Sequence, residues 1–237
     1  MSSSDVSVML VHGAWADGSS WSKIIRPLAA DGVEVSAPPL PLTSFQDDVA
    51  ALDRALERTP GPVVLAGHAY AGAVIAAIRS DKVKALVYVA ALAPEEGETV
   101  ADVFYRIKPH PQAPKLVPDD HGLIYLLDTA FGAAFAQDAA ADELAVLAAV
   151  QRPISPACLT VRAPRPLWKD RPAWYLVAER DRMIVQDNQR FMAQRMQARM
   201  RSHAVDHAPI VTAPAVVLDV IREAISAVQA GNAEIAV

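Results

Sequence analysis

Short apolar runs alternate with helical patterns along most of the chain. The runs Val6–His12, Pro62–His68, Val83–Ala91 and Ala173–Ala178 lack a regular polar face, so each is expected to form a buried strand. Val33–Ser36 predicts a shorter strand, broken off by Pro38 and Pro39. His203–Asp206, with the residues just before it, predicts the last strand. Between these runs the apolar spacing predicts helices over Trp21–Ala30, Phe45–Arg58, Tyr70–Arg79, Met192–Met200 and Ala213–Ala227. Asp31-Gly32 is a good stop for the first helix. Thr43 or Ser44 can cap the second, whose first turn carries Asp47 and Asp48, where the dipole favours acids. Strands that alternate with helices predict a parallel sheet flanked by helices.

From about Pro94 to Arg171 this rhythm breaks. The stretch is rich in proline and mostly helical by pattern, over Thr99–Ile107, Asp128–Ala136 and Asp142–Gln151, with a small hairpin expected over Lys115–Leu127 around Asp119-Asp120-His121-Gly122. The expected organisation is therefore a core of residues 1–93 and 172–237, with residues 94–171 inserted as a cap. No internal repeat or low-complexity segment is evident.

Composition narrows the function classes. The chain has 237 residues, of which 52% are apolar and 21% charged, which suits one folded domain. The net charge is −5, and no Lys/Arg cluster marks one face, which argues against a nucleic-acid partner. No charge-free apolar stretch reaches membrane-spanning length, and the N-terminus lacks the pattern of a secretory leader. The one cysteine, Cys158, sits in an apolar setting and is expected to be a packed thiol in a reducing, cytoplasmic compartment. The expected partner is a small-molecule substrate, with a homodimer left open.

Candidate chemistry gathers at three places, each directly after a predicted strand, where parallel sheets bind ligands. In VVLAGHAYAGAVIAA a strand runs straight into a helix through Gly67-His68-Ala69-Tyr70-Ala71-Gly72, a turn tight enough to need small residues. In VMLVHGAWADGSSW a strand is followed by His12-Gly13-Ala14-Trp15. Near the C-terminus, Asp181 lies just past one strand and His207 just past the next. His203 is the rival histidine, but it falls within the strand.

The first of these turns resembles the G-x-S-x-G nucleophile elbow of α/β-hydrolases, with Ala69 in the serine position and Ala71 in place of the last glycine. With the HGAW loop and the DRM…DHAP ending, the resemblance covers nearly the whole chain. It is to the compact α/β-hydrolase branch that includes plant hydroxynitrile lyases and methyl-ester esterases. It implies an α/β-hydrolase fold, a mostly parallel sheet flanked by helices with a small, mainly helical cap. It also implies His207 oriented by Asp181 and an oxyanion hole formed by the backbone N–H groups of Ala14 and Tyr70. Trp15, His12, Met183 and Trp168 lie near this site in sequence and are expected to form its substrate wall. His68 and His12 would be structural or brace the loop, and His110 and His121 lie in the cap. No cofactor or metal motif is present: the Gly67 turn lacks both G-x-G-x-x-G and the lysine of a phosphate loop.

Alanine carries no nucleophilic atom. Three readings stay open: a proton-abstracting enzyme using His207 and Asp181, a serine esterase or lactonase carrying an inactivating alanine, and a non-catalytic ligand-binding protein. The paired departure at Ala69 and Ala71 favours a native variant, and retention of an oriented base favours chemistry over carriage.

Overall fold

A computed structural model describes residues 6–235, with side chains described as far as Gly231. Six parallel strands form one sheet in the order β2-β1-β3-β4-β5-β6: β1 Ser7–Val11, β2 Glu34–Ser36, β3 Val63–His68, β4 Val83–Val89, β5 Ala173–Ala178 and β6 Arg199–His203. Every residue of β1, β3 and β5 is buried, which is why these strands read as apolar runs without alternation. Helices α1 (Ser22–Ala30) and α9 (Pro214–Ile235) pack together, with α9 crossing β3, β4 and β5. Helix α2 (Phe45–Glu57) packs on α3 (Ala71–Ala77), which lies against β3. Ser44 caps α2 by accepting from the Asp47 N–H at 3.1 Å.

Strand order reverses between β1 and β3, so the carboxyl ends of these strands flank a crevice where no connection crosses. The register pairs Val11 with Gly67, which brings the loop at His12-Gly13-Ala14 beside the turn at Ala69-Tyr70.

Two predicted elements differ. Residues 115–127 do not form a hairpin. Asp119 instead organises a turn, accepting from the His121 and Leu123 N–H groups at 2.9 Å each, and Ile124 makes an isolated antiparallel bridge to Ile154. Lys115, Val117, Pro118, Asp119 and Asp120 are exposed, so no buried face fixes a strand register there. The helix predicted over Met192–Met200 is α7, Gln186–Arg195, and Arg199 onward is already β6. It ends in a Schellman closure in which Gln197 takes φ +53°, its N–H bonds the Gln194 carbonyl, and the Ala198 N–H bonds the Ala193 carbonyl, both at 3.0 Å. A glutamine in a glycine's place hid that stop.

The 94–171 stretch contains α4 (Val100–Phe104), closed by a Thr99/Asp102 capping box, then α5 (Asp128–Ala130) running into a π-helical turn at Phe131–Phe135, and α6 (Ala141–Ala149). The short helix α8 (Pro209–Thr212) precedes α9. No helix among the described residues is long and apolar enough to cross a membrane.

Candidate active site

The strand-to-helix turn after β3 is strained at one residue. Ala69 has φ +51°, a left-handed conformation that costs an L-residue about 1–2 kcal/mol. The turn is held from both sides: the Ala69 N–H bonds the Val89 carbonyl at 3.2 Å, and its carbonyl accepts from Leu92 at 2.9 Å and Gly72 at 3.2 Å. Gly72 makes that closure possible, because a Cβ there would stand 2.3 Å from the Leu92 carbonyl oxygen. Gly13 does the same for the neighbouring loop, where a Cβ would meet the Ala69 methyl and the His68 carbonyl at 2.9 Å.

Asp181 and His207, which leave β5 and β6 respectively, meet: His207 Nδ1 donates to Asp181 Oδ2 at 2.8 Å, with both side chains buried. The carboxylate is fully engaged. Its Oδ1 accepts from the Met183 and Ile184 N–H groups at 2.7 and 2.8 Å, and Gln189 Nε2 donates to Oδ2 at 2.7 Å. Gln189 is itself held by the Ala178 N–H and the Ile184 carbonyl. Because Nδ1 carries the proton toward Asp181, Nε2 of His207 holds the lone pair. The Phe135 ring lies 5.2 Å from the His207 ring, centroid to centroid.

His207, Ala69, Tyr70 and Ala14 line one cavity of about 110 Å³. Among the described residues no acceptor is paired with the backbone N–H of Ala14 or of Tyr70. The residues that carry these two N–H groups thus share a small enclosure with the His207 ring and the Ala69 residue. The other walls come from Trp15, Leu92, Met183 and Ile184 and, in the 94–171 stretch, from Val100, Ala101, Phe104, Tyr105, Leu116, Ile124, Ile154 and Leu159. None of these is charged. The polar tips of two of the aromatic residues are already committed: Trp15 Nε1 donates to the Ile124 carbonyl at 2.9 Å, and the Tyr70 hydroxyl to Asp48 Oδ2 at 2.7 Å.

Two residues expected in the substrate wall lie elsewhere. His12 is fully buried behind the loop, with Nδ1–H on its own Gly13 carbonyl and Nε2 accepting from the Leu40 N–H, each at 2.9 Å. Burial lowers its pKa, the Gly13 bond opposing that shift, and the ring braces the loop rather than facing the cavity. Trp168 sits on the turn Leu167–Lys169 that packs against α3, outside the cavity lining. An aromatic residue near a site in sequence had no signal to show which way it faced. His203 ends β6 and lines no part of the cavity. His110 and His121 are likewise outside it.

Sequence reasoning missed Gln189, Asp48 and Phe135. Gln189 and Asp48 are buried polar residues inside helices, and nothing in a helical pattern separates such a residue from an exposed one before its partners are known.

The sequence profile of the alpha/beta hydrolase family matches residues 8–220. The chain belongs to this family. Its fold is shared with a pyrethroid hydrolase from Sphingobium faniae JZ-2 (TM-score 0.80, 22% identity, 94% of this chain and 98% of that one). A methylesterase from Arabidopsis matches with a TM-score of 0.76 and 16% identity over 93% and 99% of the two chains. Polyneuridine aldehyde esterase matches with a TM-score of 0.74 and 15% identity over 90% and 96%. No curated protein matches in sequence.

Proposed function

We propose that this alpha/beta hydrolase acts on a small, largely apolar ester or carbonyl compound, with His207 as general base oriented by Asp181 and without a serine nucleophile. The observation that supports the reading is that His207, bonded to Asp181, lines one apolar cavity together with Ala14 and Tyr70, whose backbone N–H groups have no acceptor among the described residues. On an ester, His207 Nε2 takes a proton from water as the water oxygen bonds to the carbonyl carbon. The carbonyl π pair moves onto oxygen, where the N–H groups of Ala14 and Tyr70 hold it. When that pair returns, the C–O bond to the alcohol breaks and the leaving oxygen takes the proton from His207. The same base and hole serve proton abstraction next to a carbonyl. A charged substituent would find no partner in the walls, so the substrate is neutral there. Residues 94–171 act as the cap that sets substrate shape, and no cofactor takes part.

The test is pre-steady-state hydrolysis of p-nitrophenyl butyrate with intact-protein mass measurement. The reading predicts turnover without a burst of p-nitrophenol and without a covalent acyl adduct. An acyl adduct on the protein contradicts it, and ligand binding without turnover replaces it with a carrier role.

A further inference from the structure

Asp48 is a completely buried carboxylate on α2 that the proposed chemistry does not use. It collects three donors from three separate parts of the chain. The Leu42 N–H bonds Oδ1 at 2.7 Å, the Tyr70 hydroxyl bonds Oδ2 at 2.7 Å, and the Cys158 thiol approaches Oδ2 at 3.6 Å. Burial raises the Asp48 pKa against the opposing effect of these donors, and burial beside Asp48 pushes the Cys158 thiol up to about 12, so the thiol stays protonated as a donor.

The residues it gathers bear on the oxyanion hole. Tyr70 supplies one of the two unpaired N–H groups. Leu42 is held at φ +60°, a strained conformation for a leucine that persists only where its surroundings fix it. Its loop also meets the other half of the hole: the Leu40 N–H donates to His12 Nε2, and His12 Nδ1–H holds the Gly13 carbonyl, directly before Ala14. One loop thus braces both donors, through His12 on the Ala14 side and through Asp48 on the Tyr70 side.

We propose that Asp48 is a positioning residue which, through the Tyr70 hydroxyl and the Leu42 N–H, sets the Tyr70 N–H against the Ala14 N–H so that both reach one oxygen. The proposal rests on the oxyanion-hole reading above. Asp48 touches no reacting atom. Its effect falls on the step in which negative charge develops, where a single misplaced donor matters most.

The experiment uses the full chain and two variants, Asp48→Asn and Tyr70→Phe, the second of which keeps the ring and removes only the hydroxyl. Backbone amide shifts are followed by NMR on titration with butyrate, a neutral-chain carboxylate whose oxygen fits the hole, alongside kcat and KM for p-nitrophenyl butyrate. In the unmodified protein both the Ala14 and Tyr70 amides respond to butyrate. In both variants the Tyr70 response is expected to shrink while that of Ala14 is largely kept, with kcat down about tenfold or more and KM within about twofold. Equal responses and unchanged kcat in both variants overturn the proposal. So does a parallel loss at Ala14 and Tyr70 together with a lower Tm, which would mark a general structural role. If neither amide responds in the unmodified protein, the oxyanion-hole reading itself fails, a result distinct from failure of Asp48 alone.

Discussion

His68 Nε2–H donates to the backbone carbonyl of His207 at 2.7 Å, and the two rings lie 4.9 Å apart. Of this adjacent pair, one presents a ring nitrogen to the cavity and the other is entirely enclosed. Burial, reinforced by the neighbouring His207, pushes the His68 pKa down to about 3, so His68 stays neutral wherever the protein works and serves as a fixed donor to the His207 backbone.

That relationship predicts acid sensitivity. Unfolded, His68 takes up a proton below its ordinary 6.5, whereas folded it does so only near 3. Between these values the unfolded chain binds more protons, so stability is lost as pH falls through that window. His12, whose pKa burial also lowers, acts in the same direction, while the raised Asp48 and Asp206 oppose it. Urea midpoints measured from pH 7 down to pH 4 should decline, and less steeply in His68→Gln. A flat profile in the unmodified protein would refute this.

Gly72→Ala should destabilise the fold by about 3 kcal/mol or more, because the new methyl meets the Leu92 backbone oxygen, which no side-chain rotation can move. Thermal melts settle the point. A change in Tm of under about 2 °C would mean that the elbow relaxes freely.

Gln189→Leu removes one donor to Asp181 and the acceptor for the Ala178 N–H, at similar volume. Leaving a buried N–H unpaired costs about 1–3 kcal/mol, to be read from urea denaturation. Activity should fall further than stability explains, because Asp181 then orients His207 with one fewer restraint.

The legible and illegible parts of the molecule divide along physical lines. Buried parallel strands announce themselves as unbroken apolar runs, so four of the six strands and the order of the loops carrying Ala14, Ala69, Asp181 and His207 are legible directly. The helix α7 was displaced because its stop is a left-handed Gln197. Residues 115–127 were misread because an exposed turn organised by Asp119 shares its residue types with a hairpin loop. His12 and Trp168 were assigned to the cavity from proximity in sequence, while Gln189 and Asp48, which hold the site together, carry no local mark.

Ala69→Ser offers a separate check on the elbow. Its φ of +51° already suits the strained turn on which such a serine sits, so a hydroxyl there would stand in the cavity shared with His207. Losing the serine of a complete triad costs on the order of 10⁶ in rate, so the variant should gain ester hydrolysis by several orders of magnitude, together with a burst of p-nitrophenol. No gain would mean that a hydroxyl at this turn does not reach His207.

The proposed chemistry stands or falls on His207 as the base. The test is p-nitrophenyl butyrate hydrolysis by the unmodified protein and by His207→Ala, side by side. A positioned base contributes typically about 10²–10⁴-fold, so the variant should lose activity by that factor. Equal rates would overturn this reading and leave the His207–Asp181 pair as structure alone.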